Sequence, residues 1–185
     1  MFDWISESAF WTIFLILHGL CAVALLGAIT HQFFAAFKTR GSSGSSDFIG
    51  RFKGVSPGVY TKAICILWLI TFILGGYIYA QYRIAIRIPL EASGYWRTQG
   101  FFELKENWSS MGLFLLPGYY AMWRIQLNES FIKARSYLTA MLAIICWFSF
   151  LVGHIVNNVR GFGSWKTVNW INASYLVLLH LLCIS

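Results

Sequence analysis

The sequence predicts an all-α fold, a transmembrane bundle of about five helices that forms a single domain over residues 1–185. Hydrophobic residues make up 58% of the chain and charged residues only 11%, whereas soluble domains carry about 25% charged residues. The mean hydropathy is +0.62. So few charges cannot cover a water-exposed surface, and much of this surface is therefore expected to face lipid.

Five apolar stretches are candidate membrane spans, because the hydrocarbon core of a bilayer takes about 20 residues of apolar helix. In chain order they are residues 10–37, 59–81, 108–123, 136–159 and 168–185. The first is long enough to tilt or to emerge from the bilayer. The third is the shortest and contains Pro117. The fifth is still apolar where the sequence ends, which predicts that the last helix finishes near the far face.

The segments between the spans differ in character. Residues 38–57 contain the Gly/Ser run 41–46, which is typical of a flexible loop. Residues 82–89 alternate apolar and basic side chains, which predicts an extended or interfacial segment. The acids Glu103 and Glu106 then fall in a predicted solvated loop ahead of the third span.

The distribution of Lys and Arg predicts the orientation. Side A is defined here as the membrane side that holds the N-terminus, and side B as the other. The side B loops carry more Lys and Arg and fewer acids than the side A loops, and such loops are usually cytoplasmic. We therefore expect a multi-pass protein of the cell (inner, cytoplasmic) membrane with its N-terminus outside and its C-terminus in the cytoplasm. Because the basic residues are scattered between apolar spans, nucleic-acid binding is not expected.

The four histidines are the strongest functional signal, because every one lies inside a predicted span. They are His18, His31, His154 and His180. Ionisable residues inside a bilayer are costly and usually functional, although a single imidazole can simply bond a neighbouring helix. At about 1.5 Å per residue, His18 and His154 lie at one depth near side A. His31 and His180 lie at a second depth near side B.

Two histidines on separate helices are a suitable pair of axial ligands for a haem iron, and the two level pairs predict two haems b. Gly19 and Gly153 stand next to His18 and His154 in the chain, and small residues there would let a flat ring approach the backbone. Partners for the haem propionates are also needed near the membrane edge. Asn157 and Arg160 follow His154 toward side A and are the candidates.

This arrangement resembles the membrane-bound b-type cytochromes, which hold two haems b by bis-histidine ligation, one near each face of a small helical bundle. The resemblance covers the spans and the four histidines. It departs from respiratory cytochrome b, in which two helices each contribute two histidines. Here the first span contributes two, thirteen residues apart, and the fourth and fifth spans contribute one each.

The sequence therefore predicts a cytochrome b subunit of a larger redox complex of the respiratory-chain type, which carries electrons across the bilayer between two haems. The other subunits are the expected partners, with a quinone or a cytochrome c as candidate electron partners. The absence of an H-E-x-x-H motif, a nucleophile elbow or a Walker loop favours an electron-transfer subunit over a stand-alone enzyme.

Two alternatives stay open. In a haem-free accessory subunit the histidines would only join helices. A transporter-like subunit would require carboxylates within the spans, and the sequence places the acids in loops or at span ends.

Overall fold

The structure of the protein, a computed structural model, describes residues 6–37, 57–125 and 129–159. All regular elements within these ranges are helices, as the sequence predicted. In chain order they are α1 (Glu7–Ala36), α2 (Pro57–Tyr82), a π-helical turn (Arg83–Arg87), the short α3 (Ile88–Ala92), α4 (Trp96–Arg124) and α5 (Glu129–Val159).

Three stretches of helix in the described part of the chain are long and apolar enough to cross a membrane. They are Glu7–Ala36, Gly58–Ala92 and Phe131–Asn158. They contain all of the predicted span 59–81, and the predicted spans 10–37 and 136–159 except for the last residue of each. The chain is therefore a membrane protein by the length and composition of its helices, but the predicted count of five spans is not confirmed.

The predicted span 108–123 lies inside the longer helix α4, which is not among the apolar candidates. The first half of α4 carries Arg97, Glu103, Lys105 and Glu106, and its second half is rich in Tyr, Gly and Ser, which have low hydropathy. The expectation of a solvated loop before residue 108 was therefore wrong, because the helix already begins at Trp96. The predicted span 168–185 lies outside the described residues.

Residues 82–89, predicted as an extended or interfacial segment, are not extended, because the chain there is helical. Tyr82, Ile86 and Leu90 are all buried, at 3%, 5% and 2% exposure, and they follow one another at intervals of four residues. That interval belongs to a helix, whereas a strand would repeat every second residue. Arg87 and Glu91 are also four apart, and their Nε and Oε1 atoms lie 2.8 Å apart.

The four long helices form an antiparallel bundle in which each packs against two others. Helix α1 contacts α2 and α5, and α4 contacts the same two helices. The helices that pack together are antiparallel, because residues near the start of one helix contact residues near the end of the other. In the α1–α2 pair, His18 meets Gly75 while Gln32 meets Thr61.

Polar contacts join the helices toward the end of the bundle that holds the C-terminus of α1. Gln32 Nε2 donates to Thr61 Oγ1 at 3.2 Å, and both side chains are fully buried. Ser136 Oγ donates to the carbonyl of Ala36 at 2.9 Å, which ties α5 to α1. In a bilayer such bonds hold helices together where the hydrophobic effect does not. The opposite end, near the N-terminus of α1, is less tightly filled.

Candidate functional site

A cavity of about 250 Å³ lies between the four long helices toward the N-terminal end of α1. Each helix lines it with one face, since the lining residues recur at intervals of three and four. The cavity-lining residues used below are His18, Gly19, Thr71, Gly75, Tyr79, Tyr82, Phe102, Lys105, Glu106, Ser109, Ser149, Phe150, Gly153, His154 and Asn157. Its volume lies just below the range of about 300–1,000 Å³ that small-molecule sites occupy.

His18 and His154, which the sequence placed at one depth on two different helices, both line this cavity. The His18 imidazole lies against Gly75 of α2: a Cβ added at Gly75 would be only 3.1 Å from His18 Cε1. Glycine at this position therefore makes the room in which the ring lies. The Nδ1 atom of His18 is buried and has no hydrogen-bond partner. A buried ring nitrogen without a partner is a candidate ligand atom.

His154 of α5 also lines the cavity and is more exposed than His18. Its ring is stacked with that of Phe150, with centroids 6.4 Å apart and planes within 6°. Its Nε2 lies 3.1 Å from Asn158 Nδ2, which also donates to the His154 carbonyl at 2.8 Å. With the amide nitrogen as donor, Nε2 accepts, which corresponds to a neutral imidazole. The ring has to release Asn158 before Nε2 can bind a metal.

The small residues predicted beside these histidines also line the cavity. A Cβ added at Gly19 or at Gly153 would meet nothing within 4 Å. Neither glycine is therefore required for close packing between helices, and both leave free space at the cavity wall. Asn157, predicted as a partner for a propionate, is a lining residue as well. Arg160, the other predicted partner, lies outside the described residues.

The second predicted pair is only half described. His31 is on α1, thirteen residues from His18, and is not among the residues that line the cavity. Its ring lies 5.8 Å from that of Tyr60 on α2, centroid to centroid. His180 lies outside the described residues. The pairing of His31 with His180 stays a prediction.

The charged wall of the cavity was missed at the level of sequence. Lys105 and Glu106 were assigned to a loop, but α4 carries them into the cavity together with Phe102 and Ser109. These four residues stand at positions i, i+3, i+4 and i+7, which is the spacing of one helix face. That spacing was readable in the sequence. The low hydropathy of the segment is instead typical of a loop, which is why the helix was not predicted.

A chain of polar contacts leads from the cavity to Arg87 in the π-helical turn. The hydroxyl of the lining residue Tyr82 donates to Gln99 Oε1 at 2.7 Å, and Gln99 Nε2 donates to Glu103 Oε1 at 3.0 Å. Glu103 Oε1 in turn lies 3.4 Å from Arg87 Nη2. These bonds fix the π-helical turn against α4 and hold the wall of the cavity in place.

The donor set of the cavity limits the metals it could hold. The described residues include no cluster of three or more His, Cys, Asp or Glu side chains placed to bind a metal ion. A bare ion such as Zn²⁺ usually requires four ligands. Two imidazoles suffice only when the remaining positions of the metal are filled by a macrocycle, as in haem.

Comparisons of the chain with protein-family models, with curated proteins and with solved structures found no match.

Proposed function

We propose that the protein is an electron-transfer subunit that binds a b-type haem in this cavity through His18 and His154. The observation that carries the proposal is that both intramembrane histidines of one level pair line the same cavity. When bound, haem supplies a reversible one-electron couple at its iron.

The described residues fit such a group in three respects. The buried Nδ1 of His18 has no hydrogen-bond partner, and the Nε2 of His154 lies at the cavity wall within hydrogen-bond distance of Asn158. Gly19 and Gly153 leave room along two helices. Aromatic residues of the wall, Phe150 among them, supply the apolar surface that excludes water from a macrocycle.

The remaining parts of the proposal concern the second haem and the partners. His31 lies about 20 Å along α1 from His18, at 1.5 Å per residue. With His180 it would form a second site near side B, so that electrons could cross the bilayer in two steps. A chain with this role would work within a larger membrane redox complex and exchange electrons with a quinone or a cytochrome c.

The accessory-subunit alternative is supported by one contact. His154 already bonds Asn158 on its own helix, which is what a histidine with a purely structural role would do. In that case the cavity would be a packing defect between helices, and neither histidine would bind iron.

A pyridine haemochrome assay and an absorption spectrum of the purified full-length chain test the proposal. We expect close to two haems per chain. His18→Ala and His154→Ala should each lose the same haem and give the same spectrum, because one axial ligand does not maintain a low-spin bis-imidazole haem. His31→Ala is the matched control, since it should retain that haem and perturb the other.

Two results would contradict the proposal. A folded, monodisperse and colourless preparation would exclude haem binding and favour the accessory subunit. If all four His→Ala variants kept the haem content of the unmodified protein, the iron would be bound elsewhere.

A further inference from the structure

Lys105 is a cation enclosed in the wall of the cavity. Only 13% of its side chain is exposed, although lysine side chains normally extend toward water. Its Nζ lies 2.7 Å from Glu106 Oε1 and 4.3 Å from the centre of the Phe102 ring. The ammonium group is therefore held at the cavity by a carboxylate and an aromatic face.

The pairing with Glu106 does not by itself explain this position. Both residues lie on the face of α4 that lines the cavity, so the ion pair forms at the cavity wall. An exposed pair of this kind contributes little to stability. A pair taken out of water stabilises the protein only when its geometry is excellent. Fold stability alone gives little reason to hold this charge in the wall.

The position of Lys105 relative to His18 suggests a different role. Both residues line the same cavity, and so does Glu106. A ligand bound at His18 therefore brings its other groups near Lys105. If that ligand carries a carboxylate at its edge, the carboxylate can pair with the Lys105 ammonium.

We infer that Lys105 binds a carboxylate of the group in the cavity, and that Glu106 occupies the ammonium until that carboxylate arrives. The inference rests on the proposed function, in which the group is haem and the carboxylate is a propionate. Lys105 is a propionate partner that the sequence did not predict. It is a binding residue toward the edge of the macrocycle and takes no part in iron ligation.

The test uses two porphyrins that differ only in their propionate carboxylates: haemin, and haemin in which both propionates are methyl esters. The full-length chain is purified in detergent without haem, and each porphyrin is titrated while the Soret band is recorded. We expect Lys105→Met to weaken haemin binding by about tenfold to a hundredfold, the effect of one charge-assisted hydrogen bond. Binding of the ester should change by less than about twofold, within the scatter of such energies.

Three further variants sharpen the comparison. Lys105→Arg keeps the charge and should retain most of the affinity for haemin. Glu106→Gln removes the competing carboxylate and should strengthen haemin binding but not ester binding. Lys62→Met, at an exposed lysine of α2 outside the cavity, should leave both affinities unchanged.

Each outcome decides a separate question. If Lys105→Met weakens haemin and ester equally, Lys105 supports the fold and the inference is wrong. If it weakens neither, the propionate is held elsewhere, and the haem site stands without Lys105. Ester binding by the variant itself shows that the variant is folded. If the unmodified protein binds neither porphyrin, the proposed function fails and this inference fails with it.

Discussion

Replacing Gly75 with alanine tests the contact between α2 and the His18 ring. A Cβ at this position would lie 3.1 Å from Cε1 and 3.6 Å from Nδ1 of His18. The first distance is shorter than an ordinary van der Waals contact, which begins at 3.4 Å, so the ring has to move by a few tenths of an ångström. The neighbouring Gly76 is the matched control, because a Cβ there would meet nothing within 4 Å.

The expected size of the effect follows from two opposing terms. Alanine favours a helix interior over glycine by about 0.8–1.0 kcal/mol, and this gain is common to both variants. Turning the imidazole about 30° from its rotamer costs about 0.5–1.5 kcal/mol, and only Gly75→Ala requires it. The free energy of unfolding of Gly75→Ala should therefore be lower than that of Gly76→Ala by about 0.5–1.5 kcal/mol.

Denaturant unfolding of both variants in detergent measures this difference directly. The haem content of the same preparations provides a second readout, because a displaced His18 ring should lower the occupancy of the haem nearer side A. The reasoning would be refuted by equal unfolding free energies together with equal haem contents. A loss of haem without a change in stability would mean that the ring moves freely and that its position matters only for ligation.

Two further predictions concern packing and topology. A Cβ at Gly112 would overlap the Trp68 indole, which is 4% exposed, so Gly112→Ala should lose about 1–3 kcal/mol of stability by overpacking; Gly118→Ala, which meets nothing within 4 Å, should lose none, and equal melting temperatures would contradict this. A reporter inserted at Ser93, an exposed residue in the turn between α3 and α4, should be found outside the cell and one fused after Ser185 in the cytoplasm; the reverse result would invert the orientation predicted from the Lys and Arg distribution.

The helices that the sequence predicted well are the ones with unbroken apolar runs. The end residues of α1 and α2 fall within three residues of the predicted bounds, because a hydrophobic run ends where the polar residues begin. The first half of α4 was missed, since hydropathy cannot distinguish a polar helix from a polar loop. Periodicity could have done so, because Phe102, Lys105, Glu106 and Ser109 have the spacing of one helix face.

For the candidate site, the sequence predicted the depth of the histidines but not their surroundings. Counting residues from the membrane edge placed His18 and His154 at one depth, and both line the cavity. Depth says nothing about which face a residue occupies or what lies across from it. The fit of His18 against Gly75 and the entry of Lys105 depend on how four helices are turned toward one another, which a single sequence does not encode locally.

The π-helical turn has a consequence for the level of the cavity in a bilayer. It joins α2 and α3 into one helical rod from Gly58 to Ala92, 35 residues in all. Such a rod is about 50 Å long at 1.5 Å per residue, against a hydrocarbon core of about 30 Å. If the rod enters the core near Gly58, Tyr82 lies about 36 Å further on, among the lipid headgroups.

With the rod placed in this way, the cavity extends through two environments. Its inner part, at His18, is surrounded by hydrocarbon, while the part walled by Tyr82 and Lys105 lies at the level where water and lipid headgroups begin. The dielectric constant rises along this path, so an apolar body is favoured at one end and an anionic edge at the other. A molecule with both features would be aligned along the gradient before it made any specific contact.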